Sequence, residues 1–208
     1  PAFFVAMAAA IRGYRIVCVM ADKQSKEKQD LLRAYGAEVV VCPTDVDPED
    51  PESYYSVAAR LSAEIPGAYR PDQYSNPANP QAHYETTGPE IWRQTEGRVR
   101  AFFAGFGTCG TITGVGRYLK ERDPSIRIVA IEPQRGHRLP GLKSFEEAKQ
   151  PGILDWSVID DVVRVDDDPA YTMTKRLWRE EGLMVGPSTG AVVVAAEQCG
   201  LDPDDIAV

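Results

Sequence analysis

The chain has 208 residues, 43% of them hydrophobic and 26% charged, with a formal net charge of −8. That length suits one large or two small domains, and the composition is that of an ordinary soluble globular protein. The acidic balance excludes nucleic acid or an anionic membrane surface as the main partner, and no apolar run is long enough to span a bilayer.

Taken in chain order, PAFFVAMAAAIRGY reads as an apolar helix with no strand before it. YRIVCVM (Tyr14 to Met20) is a continuous apolar strand. SKEKQDLLRAYG follows as a helix, with Ser25 as N-cap, Leu31 and Leu32 on one face and Gly36 at its end. AEVVVC (Ala37 to Cys42) is the next strand, and a Pro/Asp-rich loop leads to a helix near Tyr54 to Ile65. HYETTGPEIWRQ reads as helical around an internal Gly-Pro. Then come the strand VRAFFAG, a glycine-rich loop, a helix, and the strands IRIVAIE and VIDDVVRVD. A helix near Pro169 to Glu181, another after Ser188, and the start of a strand in DDIAV complete the chain. Apolar strands alternating with helices predict an α/β fold with a mostly parallel sheet. Both ends look cut, so the sequence reads as a fragment of a longer chain.

Cys18, Cys42, Cys109 and Cys199 are far apart and form no C-x-x-C pair, so neither a zinc site nor a disulfide framework is expected. Cys18 and Cys42 fall in strands as small buried hydrophobes, and a reducing cytoplasm suits this usage. His83 and His137 are isolated and lack metal-ligand spacing. No metal is expected.

The chemistry concentrates in AFFAGFGTCGTITGVGRYLKE, Ala101 to Glu121. Gly105, Gly107 and Gly110 spell G-x-G-x-x-G between a strand and a helix, and Glu132 follows Gly110 by 22 residues. A dinucleotide site places its glycines and its ribose-binding acid in this way. Such a loop lets backbone N–H groups and a helix N-terminus meet an anion. Thr108, Thr111 and Thr113 add hydroxyls, which suits a terminal phosphate monoester better than a pyrophosphate. Thr108, Thr111 and Ser188 also fit a plainer role as helix caps. On the residues alone, both an NAD-binding oxidoreductase and a phosphate-binding module without catalysis stay open.

GTCGTITGVGRYLKE resembles the pyridoxal-phosphate phosphate loop, G-T-G-G-T-x-T-G, of the cysteine synthase and cystathionine β-synthase family. DQYSNPANPQAHYETTGPEIW (Asp72 to Trp92) is similar to that family's N-P-x-N-P…H…T-T-G-P-E-I-W stretch. EEGLMVGPSTGA and GYRIVCVMADKQSKEKQDLLRAYGAEVV match two further elements, in order. The resemblance implies a fold-type II enzyme of two α/β domains, a smaller substrate-side domain over 1–75 and a larger phosphate-binding domain over 76–208, in a homodimer. It implies pyridoxal 5'-phosphate held by Gly107, Thr108, Cys109, Gly110 and Thr111, with Ser188 at the pyridine nitrogen. Gln73 would sit near the carboxylate of a small amino-acid substrate, beside Tyr74. RLPGLK (Arg138 to Lys143) would be a mobile loop over the substrate, with Arg138 or Lys143 attracting an anionic group.

The implied reaction is β-replacement on an activated serine, O-acetylserine or O-phosphoserine, by sulfide or another thiol to give cysteine. Cystathionine synthesis from serine and homocysteine is the alternative. Two departures stand out. The family's Schiff-base lysine and S-G-N-T-G loop are expected upstream of Pro1, with Pro1-Ala2 where the Thr-Gly of that loop belongs. None of the seven lysines lies in the family's lysine context, so no catalytic residue is named in this chain. Cys109 replaces a glycine, with φ expected below zero.

Overall fold

Two parallel sheets organise the computed structural model, which describes residues 2–208. Pro1, placed above against the family's Thr-Gly pair, lies outside the described residues. The chain divides into two units, one ending at Pro71 and the other spanning Asp72–Val208.

In the first unit, β1 (Val17–Ala21) pairs in parallel with β2 (Glu38–Cys42), with Cys18 opposite Val39 and Ala21 opposite Cys42. Around them run α1 (Ala2–Arg12), α2 (Lys26–Ala34) and α3 (Tyr54–Glu64). The Ser25 hydroxyl accepts from the Lys28 amide, as an N-cap should, and Gly36 leaves α2 at a φ of +84°. Ser53 caps α3 by accepting from the Ser56 amide at 3.1 Å. Ala6, Cys18, Leu32 and Ala37 form the core. Leu32 is buried but Leu31 is 45% exposed, because consecutive helical residues point about 100° apart and cannot share a face. Cys18 and Cys42 are buried free thiols, and burial raises the pKa of both.

The second unit carries four parallel strands in the order β5 (Asp161–Val165), β4 (Arg127–Pro133), β3 (Val99–Gly105), β6 (Ile206–Ala207). Strand alternation splits its core. Ala101, Phe103, Val129 and Ile131 pack under α7 (Asp167–Glu180) and α8 (Pro187–Gln198). Phe102, Ile128 and Ala130 face the other way, onto Ile112, Val115 and Leu119 of α6 (Gly110–Arg122). Each large apolar side chain buried in this way stabilises the fold by about 1.5–3 kcal/mol. On the far side of α6 lies an interrupted helix: α4 (Ala78–Ala82), a π-helical turn over His83–Thr87, and α5 (Gly88–Gln94). The Gly88 amide reaches back to the His83 carbonyl, five residues away, and Pro89 has no amide hydrogen to close a tighter turn.

β3 has β4 on one side and β6 on the other. The chain runs outward from β3 to β5, then returns to the opposite edge. The loop after β3 therefore opens where the strand order reverses, the place where open parallel sheets bind ligands.

Candidate functional site

The loop between β3 and α6 starts with Phe106, whose amide donates to the Ile131 carbonyl at 2.9 Å. Beyond it, none of the backbone N–H groups from Gly107 through Ile112 has an acceptor among the described residues. The first amides of any helix lack an intrahelical acceptor, and here Gly107 and Thr108 extend that row of donors into the loop, where a negatively charged group could accept from them.

Cys109 is the N-cap of α6, at φ 66° and ψ 8°. The expectation of a negative φ is overturned. The chain must turn through the left-handed region here to bring the Gly110 and Thr111 amides round, and a glycine would enter that region freely. The cysteine tolerates it because its side chain is 4% exposed and packs with Phe106 and Ile112 in the core. Burial pushes the thiol pKa up to about 12, and the charge of Lys143 opposes this only weakly. The helix N-terminus does not make it a reactive thiolate. Since Cys109 holds the cap position without a side-chain bond, neither Thr108 nor Thr111 is a cap.

Both threonines are held from behind. Thr108 Oγ1 accepts from Asn79 Nδ2 at 3.3 Å, and the same amide group donates to the Gln73 carbonyl at 2.8 Å. Thr111 Oγ1 lies 3.1 Å from His83 Nε2, while His83 Nδ1 lies 3.0 Å from Thr87 Oγ1. Burial lowers the His83 pKa, which favours the neutral ring. The glycines of α6 make this possible. A Cβ on Gly110 would meet the Asn79 side chain, and one on Gly114 would strike the Pro80 carbonyl, the His83 Cβ and the Tyr84 amide. One turn further, Tyr118 lies against Gly88, where an added Cβ would come within 2.8 Å of its ring. Residues 110, 114 and 118 form one stripe along α6, and α4, the π turn and α5 lie along it. The sequence did not single out Asn79, and His83 stood out there only as an isolated histidine without metal-ligand spacing. The four-residue spacings 79–83 and 110–114 were the available signal.

The other expected residues divide. Gln73 is half-buried and tied to the loop through Asn79. Ser188 is half-buried in the first turn of α8 and its hydroxyl has no partner among the described residues. Gly186, not Ser188, occupies the cap position there. Thr113 is not available to a ligand, being fully buried with its hydroxyl accepting from the Asp155 amide at 3.2 Å. Glu132 is not a ribose acid. It is 7% exposed, accepts from the Phe145 amide at 2.7 Å and faces Arg164 at 3.6 Å.

The 138–143 segment is anchored. Leu139 and Leu142 are buried, the Lys143 amide donates to the Phe106 carbonyl, and Arg138 is bonded through its amide to Asp167 and through its carbonyl to Tyr171. Lys143 itself is half-buried with Nζ 4.4 Å from the centre of the Tyr74 ring. No cluster of side chains able to hold a metal ion occurs among the described residues. No helix among them is long and apolar enough to cross a membrane.

Residues 2–208 match the family described as "Pyridoxal-phosphate dependent enzyme", and the chain belongs to it. Among curated relatives, a cystathionine beta-synthase of Apis mellifera is 42% identical over 95% of this chain and 42% of its own length. Cysteine synthase 3 of Caenorhabditis elegans is 43% identical over 94% of the chain and 59% of its own length. Cysteine synthase B of Pseudomonas aeruginosa is 41% identical over 92% and 62%. The chain thus spans about half the length of the curated relatives it matches. A crystal structure of O-ureido-L-serine synthase, a lysine-to-alanine variant with O-ureido-L-serine bound, superposes with a TM-score of 0.89 at 39% identity. That match covers 99% of this chain and 66% of the other. The fold is the fold-type II α/β architecture expected from the resemblance.

Proposed function

We propose that this chain forms the cofactor-phosphate-binding part of an enzyme that makes cysteine by β-replacement on an activated serine. The observation that carries this reading is the run of unaccepted backbone donors from Gly107 to Ile112, flanked by the Thr108 and Thr111 hydroxyls, in a chain of this family. A phosphate monoester fits the loop: Gly107 and Gly110 keep side chains out of it, and the N-terminus of α6 favours negative charge. Gly107, Thr108, Cys109, Gly110 and Thr111 hold the phosphate, the first four through their amides. Ser188 offers a neutral hydroxyl to the pyridine nitrogen, and Gln73 serves the substrate carboxylate. Pyridoxal phosphate, when bound, supplies the electron sink for elimination at the β-carbon.

The residues of this chain bind and orient. Asp72–Val208 is the phosphate-binding part, and the unit ending at Pro71 is the substrate-side part. The amine that bonds the cofactor comes from outside these 208 residues, since none of the seven lysines lies in the family's lysine context: Lys23, Lys26, Lys149 and Lys175 are exposed, Lys28 is bonded to Gln24, Lys120 pairs with Asp160 and Lys143 stacks over Tyr74. Sulfide is the nucleophile by likeness to the cysteine synthases, the donor is O-acetylserine or O-phosphoserine, and the working form is a cytoplasmic homodimer. The likeness to a cystathionine beta-synthase at 42% identity supports a second reading, in which serine and homocysteine are the substrates.

The test is a titration of this chain with pyridoxal phosphate, competed by inorganic phosphate. Saturable, competitive binding with no cysteine formed from O-acetylserine and sulfide above the free-cofactor background is the expected result. A chain that binds neither ligand overturns the loop assignment. Rapid cysteine formation overturns the claim that the nucleophilic amine lies elsewhere.

A further inference from the structure

A threonine hydroxyl has one proton and two lone pairs, and its geometry alone does not say whether it offers a proton or accepts one. At this loop the groups behind the hydroxyls decide. Asn79 Nδ2 is an amide nitrogen that only donates, and it has two hydrogens for two acceptors, the Gln73 carbonyl at 2.8 Å and Thr108 Oγ1 at 3.3 Å. Thr108 therefore accepts from behind, and its own proton is left to point elsewhere. His83 stands to Thr111 as Asn79 stands to Thr108, at 3.1 Å, with Thr87 on its other nitrogen at 3.0 Å. A neutral imidazole has one donor and one acceptor nitrogen, so the two contacts are linked. If Nε2 carries the hydrogen, Thr111 is free to donate outward and Thr87 donates into Nδ1.

We infer that Asn79 and His83 are positioning residues that turn the Thr108 and Thr111 hydroxyl protons toward the ligand, with His83 in its Nε2–H form, so that the loop presents donors only. This rests on the loop reading proposed above and sharpens it. The ligand group is one whose terminal oxygens all accept, a fully ionised phosphate monoester, and a ligand that must itself donate to these hydroxyls is rejected. The placement is enforced by packing, since Gly110 makes room for Asn79 and Gly114 for the backbone that carries His83.

Two measurements test it. The first is the ring-nitrogen NMR spectrum of the 208-residue chain with inorganic phosphate present, which is readable because the only histidines are His83 and His137. His83→Gln identifies the His83 signals. The expected pattern is a neutral ring protonated at Nε2, and a ring protonated at Nδ1 overturns the inference. The second is affinity for pyridoxal phosphate and for inorganic phosphate. His83→Ala is expected to weaken both by about tenfold, the scale of one lost hydrogen bond. His83→Gln, which carries an N–H donor to the place of Nε2, is expected to stay within about threefold of the parent. In a Thr111→Val background His83→Ala is expected to cost nothing further, and Asn79→Ala likewise in a Thr108→Val background. Independent, additive losses in both cycles, or equal losses for Ala and Gln, overturn the inference while leaving the loop assignment standing. Failure of the unmutated chain to bind either ligand overturns the loop assignment itself, and this inference with it.

Discussion

Two helices of the second unit begin at candidate cofactor contacts, and they are built in opposite ways. α6 starts from a left-handed Cys109, buried in the core, with Asn79 and His83 bonded to the threonines on either side. α8 starts from Gly186, an exposed residue at φ −89° whose missing Cβ has nothing within 4 Å, followed by Pro187 at the first helical position. Its firm anchor comes later, at Gly190, which presses on the Ala170 carbonyl and Thr174 of α7. Any helix N-terminus attracts an anion by about 0.3–1 kcal/mol. What distinguishes α6 is the second row of donors behind it. The first helix start suits a charged group held rigidly, and the second suits a single neutral contact from Ser188.

The sharpest way to break this contrast is to place a side chain at each start. Gly110→Asp should reduce pyridoxal phosphate affinity by at least about a hundredfold, because it sets a carboxylate against the phosphate and evicts Asn79 from its two bonds. Gly186→Ala, where nothing is displaced, should change affinity less than about twofold. Equilibrium dialysis of both variants decides the matter, and equal effects would dissolve the distinction.

Next in size is Gly114→Ala. An added methyl there meets backbone of the facing helix, which cannot swing aside as the Asn79 side chain can. Overpacking of this kind costs about 1–3 kcal/mol. A lowered urea midpoint with an unchanged slope is the expected result, and a midpoint equal to the parent's would show that the two helices part more easily than their contacts imply.

Ser188→Ala should remove one hydrogen bond to the bound ligand, about 0.5–1.5 kcal/mol, and weaken pyridoxal phosphate by up to about tenfold. It should leave inorganic phosphate binding untouched, because phosphate has no ring. Loss of both affinities together would mean that α8 contributes to the anion site after all.

The smallest expected effect comes from Asp155, which braces α6 at Thr113 and Arg117. The Ser157 hydroxyl, and then Arg117 at 2.8 Å, hold its carboxyl below the usual carboxylate range. Because the folded pKa is depressed, its stabilisation is present above the unfolded value of about 3.9 and is lost as pH falls through the folded one. Urea midpoints measured from pH 6 down to pH 2.5 should fall less steeply for Asp155→Asn than for the parent. Parallel curves would assign the acid sensitivity to other carboxylates.

Much of the fold was legible because local chemistry and tertiary structure agree. Ser25 and Gly36 bracket α2, and the apolar runs at 17–21, 38–42, 99–105 and 127–133 are strands. The glycine-rich loop was legible as a connection between a strand and a helix. What could not be read depended on contacts between distant segments. Thr113 differs from Thr111 only in which face of α6 it occupies, and Asp155, 42 residues away, claims its hydroxyl. Glu132 has the spacing of a ribose acid but is spent on Phe145 and Arg164. At Cys109 the local steric rule favours negative φ, yet burial of its side chain and the turn into α6 outweigh it.

The wide turn at His83–Thr87 works as a change of gear. On a uniform α-helix the five-residue step from His83 to Gly88 would leave them about 140° out of phase. Gly88 would then face away from Tyr118 while His83 still met Thr111. Widening one turn brings both back onto the same line of α6. Pro89 keeps it that way, because the amide hydrogen that would close the ordinary turn from that position does not exist. The pitch at which this segment reads α6 is therefore set by the covalent backbone of one residue, remote from the loop whose hydroxyls it helps to aim.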